Sequence, residues 1–210
     1  MTLDSGFARP AAQCVADATR HVMSEHRIGS IPEEEGLNNA FVSEANRRFR
    51  EGCAGVRGWH AQVLKRREEA TYDADIMVVF SWQDEERERS KAILLQAKRG
   101  DRLPAEWRHL QHQCRGMLEH TSSAFALVWD YPPYAIPAER VLTQSASPKS
   151  AHPRLEIRGF FEQFFKCWLG DHELPNRLVE GDVVPRWVVL MSSGDTGARF
   201  GMVDGFGPQG

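Results

Sequence analysis

Two apolar runs, Ile76 to Phe80 and Ala92 to Leu95, do most to limit what this chain can fold into. Both are short, unbroken by polar side chains and bounded by polar, turn-prone residues, which predicts a pair of strands buried on both faces. Polar residues stand only at their edges. Asp75 opens the first run, and Gln96 and Lys98 follow the second. Residues two apart on a strand point the same way, so Gln96 and Lys98 share a face. If the strands pair as a hairpin with Asp84 to Ser90 as its polar tip, all three heads converge. Three polar side chains gathered beside continuous apolar runs are not what an ordinary core strand carries.

A chain of 210 residues with 41% hydrophobic and 26% charged residues has the means to bury one substantial core. No apolar run approaches the roughly 20 residues that cross a bilayer. Met1 to Pro10 also lacks the basic start and apolar segment of a secretory signal. The expected setting is therefore cytoplasmic, without a membrane. Cys14, Cys53, Cys114 and Cys167 form no Cys-x-x-Cys pair, which argues against a zinc knuckle or a disulfide framework and predicts reduced, partly buried thiols. A formal charge of −3 does not advertise a nucleic-acid binder. The basic residues are nevertheless clustered: Lys65, Arg66 and Arg67, then Lys98, Arg99, Arg102, Arg108 and Arg115 suit either a positive rim or solvated faces.

Taken in order, residues 8–27 have apolar positions at helical spacing and form an N-terminal helical extension over residues 1–30. A second helix starts near Pro32, with Glu33, Glu34 and Glu35 in its first turn and Leu37, Phe41, Ala45 and Phe49 on its buried stripe. Trp59 to Arg67 reads as a half-buried strand leading into the hairpin. Beyond Gly100 the period changes, and Trp107, Leu110, Cys114, Met117 and Leu118 mark a helix over about residues 105–120. Ala124 to Trp129 is again a buried strand. Tyr131 to Tyr134 reads as a loop and Ser145 to Pro153 as a mobile one. Phe160, Phe161, Phe164, Phe165 and Trp168 define an apolar helix suited to the core or to a dimer or partner interface. Trp187 to Met191 is a last strand, and the glycine-rich Gly201 to Gly210 carries no signal. His109 and His112 are spaced to share a metal, but no third ligand joins them, and they read with His120 as solvated helix residues.

Asp75 followed by Gln96-Ala97-Lys98 resembles the PD-(D/E)XK nuclease superfamily, which has the restriction-endonuclease-like fold, in the variant where Gln replaces the second acid. The order helix, three strands, helix, strand over residues 31–130 is also similar to the core of that family. The resemblance implies an α/β fold with a mixed central sheet flanked by helices. Its nuclease core would span residues 31–135, with residues 136–210 as a peripheral helix and strand extension of the same domain.

The resemblance further implies a metal-dependent nuclease that hydrolyses phosphodiester bonds, with DNA as substrate, acting in restriction or phage defence. Asp75, Gln96 and the Ala97 carbonyl would hold Mg²⁺ or Mn²⁺, and Lys98 would hold the attacking water. A further glutamate is expected from the first core helix; Glu35 is the choice, just before the buried stripe, with Glu34 and Glu44 as alternatives. Gln113, on the helix after the Lys-bearing strand, is a candidate phosphate neighbour or a plain exposed residue. The alternative is a catalytically degenerate nuclease-fold subunit that binds nucleic acid or, through the Phe160 to Trp168 helix, a second copy or a protein partner.

Overall fold

The computed structural model describes residues 5–53, 58–84, 87–144, 154–181 and 183. In chain order its elements are α1 (Ser5–Arg27), α2 (Glu34–Arg50), β1 (Trp59–Val63), α3 (Arg66–Tyr72), β2 (Ile76–Asp84), β3 (Arg87–Arg99), α4 (Leu103–His120), β4 (Ala124–Trp129), β5 (Tyr134–Pro137), α5 (Ala138–Leu142), β6 (Leu155–Glu156), α6 (Ile157–Phe165) and α7 (Leu174–Glu180). The strands form one six-stranded sheet in the order β1-β2-β3-β4-β5-β6. Neighbours are antiparallel except β3 and β4, which are parallel. A parallel pair needs a crossover, and α4 supplies it.

Both faces of the sheet are covered, so its central strands read as continuous apolar runs rather than alternating ones. On one face Ile76, Val78, Phe80, Ile93 and Leu95 pack with α1, α2 and α6. On the other, Met77, Val79, Ala92 and Leu94 pack with α3, α4, α5 and α7. The outer helices α1 and α6 thus lie in the same layer as α2 and help build the main core.

Several expectations change in detail. The hairpin tip expected over Asp84 to Ser90 is shorter: β2 and β3 stay paired out to Asp84 opposite Arg87. Trp82 stacks on Phe80 with ring centroids 5.3 Å apart, so an apolar surface continues beneath that extension. The strand read over Trp59 to Arg67 stops at Val63. Arg66 to Tyr72 becomes α3 because the Glu68 carboxylate accepts from the N–H of the capping residue Lys65 at 2.6 Å, closing a capping box at the helix start. Tyr134, read as the end of a loop, instead opens strand β5 and adds it to the sheet. The segments Ser145 to Pro153, Trp187 to Met191 and Gly201 to Gly210 lie outside the described residues.

The cysteines also differ from expectation. Cys14 and Cys53 form a disulfide across a Cα separation of 6.4 Å, because packing of α1 on α2 brings together residues that sequence spacing leaves unrelated. Cys114 is a buried free thiol and Cys167 a half-buried one. Phe160, Phe161, Phe164 and Phe165 are all consumed by the chain's own core. Of the aromatic surface expected to dock a partner, Trp168 alone is exposed, at 66%. Among the described residues, no helix is long and apolar enough to cross a membrane.

Candidate functional site

The three polar residues do converge. Register alone places Asp75 across from Gln96, because Ile76 pairs with Leu95 and the Asp75 N–H donates to the Leu95 carbonyl at 3.0 Å. Gln96 and Lys98 then face α4 together with Leu94, as the strand period demands. Asp75 is delivered by a sharp turn in which Asp73 adopts a left-handed backbone with φ of 51°. Gly116 of α4 passes so close to this turn that a Cβ there would meet the Asp73 carboxylate at 1.7 Å. Only glycine lets α4 lie this near to the strand entrance.

One oxygen of Asp75, Oδ2, accepts from Gln96 Nε2 at 2.5 Å and from the Ala97 N–H at 2.8 Å. Burial pushes the Asp75 carboxyl up to about 6, and Glu34 adds to the shift, while Lys98 and the two hydrogen bonds oppose it. Gln96 is fully buried, and its other head atom, Oε1, has no hydrogen-bond partner. An amide oxygen stripped of water and left unpaired is costly, and such an atom calls for an explanation.

Lys98 is 5% exposed and lies between two carboxylates. Its Nζ is 3.3 Å from Glu34 Oε1 and 3.8 Å from Glu106 Oε2. Glu34 comes from the first turn of α2, and its Oε2 also accepts from the Arg99 N–H at 2.9 Å. Arg99 in turn donates to the Pro32 carbonyl at 2.8 Å, which ties the start of α2 to the end of β3.

Of the three candidate glutamates the structure brings Glu34 to the site. Glu35 is exposed one position further round the helix, because α2 turns Leu37, Asn38 and Phe41 inward and those residues share a face with position 34. Glu44 lies on a later turn, held by Arg47 at 2.8 Å and Arg48 at 2.7 Å; its carboxyl is lowered to about 2, chiefly by the hydrogen bond from Arg47. Gln113 is buried rather than exposed, with its own Oε1 unpartnered. His109 and His112 are exposed.

Glu106 was not among the sequence candidates. It is three residues after Leu103, four before Leu110 and seven before Gln113, so it shares the buried stripe of α4 and was readable there. Among the expected basic rim, Arg99 is bound to Asp101 at 2.7 Å and Arg102 lies 3.8 Å from Glu33, whereas Arg108 and Arg115 are exposed on α4.

Among the described residues no three His, Cys, Asp or Glu side chains gather as a metal-holding group. The set here is different: the Asp75 carboxylate with Gln96 bound to it, and the Glu34 carboxylate beside Lys98. Its oxygens are those a hard divalent cation takes, and the orphaned Gln96 Oε1 is an acceptor that such a cation satisfies. In these respects the residues fit Mg²⁺ or Mn²⁺. No protein-family model and no curated protein matches the chain.

Proposed function

We propose that this protein is a metal-dependent nuclease that hydrolyses phosphodiester bonds of DNA, built on the PD-(D/E)XK pattern with a restriction-endonuclease-like core. The observation that carries the proposal is the meeting of Asp75, Gln96 and Lys98 at one sheet end, with Glu34 beside them and one buried amide oxygen left unpaired. A defence or restriction role belongs to the same proposal.

In this reading Asp75, Gln96 Oε1 and the Ala97 carbonyl, with Glu34 next to them, hold Mg²⁺ or Mn²⁺. The bound ion would act as a Lewis acid on the phosphate and lower the pKa of a coordinated water. Lys98 supplies a fixed positive charge at the place where the phosphorane gathers negative charge, and its N–H groups orient the attacking water. Glu34 and Glu106 hold the ammonium in place, so the charge needs no reorganisation when the reaction occurs. The Gln96 Nε2–Asp75 hydrogen bond aims the carboxylate and leaves Oε1 for the metal.

A second reading is favoured by one specific observation: Lys98 is already engaged by two carboxylates. That arrangement also suits a nuclease-fold subunit that binds nucleic acid without cutting. Incubation with plasmid and linear DNA in Mg²⁺, Mn²⁺ or EDTA separates the two. Cleavage that requires the metal is expected; efficient cutting in EDTA contradicts the proposal, and tight, metal-independent binding without any cutting selects the second reading.

Gln96→Glu tests the ligand set by another route. The substitution removes the N–H that Asp75 accepts and sets a third carboxylate against Asp75 and Glu34. Without metal it should cost about 1–3 kcal/mol in unfolding stability. Mg²⁺ should then raise the variant's Tm more steeply than that of the wild type. Thermal melts over a Mg²⁺ titration measure both effects, and a variant that matches the wild type throughout removes Gln96 from the site.

A further inference from the structure

Lys98 meets its two carboxylates on unequal terms. Both oxygens of Glu34 are spent: Oε1 accepts from Lys98 Nζ at 3.3 Å and Oε2 from the Arg99 N–H at 2.9 Å. Glu106 Oε2 stands 3.8 Å from the same Nζ, beyond hydrogen-bond distance, and among the described residues no group donates to either Glu106 oxygen. A carboxylate has room for several donors, so Glu106 keeps an accepting capacity that Glu34 has used.

The backbone fixes that spacing. Between β3 and α4 the chain turns tightly, with the Gly100 N–H donating to the Trp129 carbonyl at 2.9 Å and the Arg102 N–H to the Arg99 carbonyl at 3.1 Å. A Cβ on Gly100 would meet the carboxylate carbon of Asp130 at 2.7 Å, so the close passage needs glycine. α4 then begins at Leu103 and carries Glu106 in its first turn, on the stripe that faces the sheet. The Lys98 side chain is 6% exposed and that of Glu106 33%, so Glu106 connects a buried ammonium to solvent.

Two polar groups too far apart for a direct hydrogen bond, yet this close, are readily joined by one water. A water so placed accepts from Lys98 Nζ through its oxygen and donates an O–H to Glu106 Oε2. That is the position of a general base, which must lie within hydrogen-bond reach of the proton it takes. Asp75 and Glu34 belong to the proposed metal set, and Asp75 Oδ2 already accepts from Gln96 Nε2 and the Ala97 N–H. Of the carboxylates around Lys98, Glu106 is the one left for proton transfer.

We propose that Glu106 is the general base of the hydrolytic step and takes a proton from the water that Lys98 orients; the inference rests on the nuclease reading above. The water oxygen attacks phosphorus while its proton passes to the Glu106 carboxylate. As the new P–O bond forms, the ester P–O bond breaks, and the departing oxygen keeps the electron pair and takes a proton from solvent. Glu106 returns its own proton to solvent through its exposed side. The products are one alcohol and one phosphate monoester, and the enzyme ends as it began.

The test uses the full chain. A high-resolution crystal structure of the metal-free wild type should show an ordered water within hydrogen-bond distance of both Lys98 Nζ and Glu106 Oε2. Direct pairing of the two groups, with no room for water, overturns the proposal whether or not the protein cuts DNA. In single-turnover cleavage at saturating Mg²⁺ and DNA, Glu106→Gln should be slower by at least about 10²-fold, with its DNA affinity and its Tm response to Mg²⁺ unchanged. Glu106→Asp keeps a carboxylate and should retain more of the rate than Glu106→Gln; the reverse order overturns the proposal. A folded Glu106→Gln that cuts at the wild-type rate defeats this inference alone, whereas a wild type that does not cut in Mg²⁺ defeats the nuclease reading and this inference together.

Discussion

Asp75→Asn should make the metal-free protein more stable near neutral pH, by up to about 3 kcal/mol, while abolishing cleavage. The stability gain follows from the carboxyl being pushed from 3.8 up to about 6, chiefly by burial. Between those two values the folded state holds a proton that the unfolded chain has released. Stability is therefore fullest below 3.8 and falls as pH rises through 6. Asparagine keeps an oxygen to accept from Gln96 Nε2 and the Ala97 N–H and has no charge to desolvate, so its curve should be flat across that window. The figure is an upper limit, because Asp75 is only half-buried and water screens part of the effect. Denaturant unfolding in EDTA from about pH 4 to pH 8 measures it: the two stability curves should separate as pH rises and run level above about 6. Curves that stay parallel would show that the carboxyl is not held in a costly, desolvated place. Added Mg²⁺ should stabilise the wild type and leave the variant nearly unmoved.

What the sequence made legible was decided by contrast. The β2 and β3 core and β4 stand out as unbroken apolar runs, and α2 and α4 as clear helical stripes, so the order of the central elements could be read directly. Asp75, Gln96 and Lys98 were legible for the same reason in reverse, as polar residues interrupting an apolar pattern. Glu34 and Glu35 were harder to separate, since both suit the first turn of a helix. Following the stripe back from Phe41 and Leu37 reaches Glu34, and rotation by one residue takes Glu35 off that face. α3 was missed because its sequence is mostly polar and its start depends on one capping interaction. β5 and β6 are short strands near the sheet edge, with little pattern of their own. The Cys14–Cys53 bond depends on how distant elements pack, which spacing along the chain does not encode.

Lys98→Met is the other substitution with a large expected effect. It keeps the stem that packs in the buried end of the sheet and removes the ammonium. Glu34 and Glu106 would then face each other without their shared cation. Breaking a fully buried ion pair costs about 3–5 kcal/mol, but these carboxylates keep 23% and 33% exposure, and Glu34 retains the Arg99 N–H. A loss of about 1–3 kcal/mol is therefore expected, enough to lower the Tm without unfolding the chain at 25 °C. The effect on reaction should be larger. The variant lacks the fixed charge next to the phosphorane and the N–H groups that orient water, a loss of about 10²–10³ or more in the chemical step. Binding of metal rests on Asp75 and Gln96 and should persist, which distinguishes lost chemistry from a lost site.

The most direct measurement is single-turnover cleavage of DNA by wild type and Lys98→Met side by side, in Mg²⁺ and in EDTA, with each protein shown to be folded at the assay temperature. The wild type should cut in Mg²⁺ and not in EDTA, and the variant should be slower by at least about 10²-fold at saturating metal. Equal rates for the two folded proteins, or undiminished cleavage in EDTA, would contradict the reading of Asp75, Gln96 and Lys98 as one metal-dependent hydrolytic site.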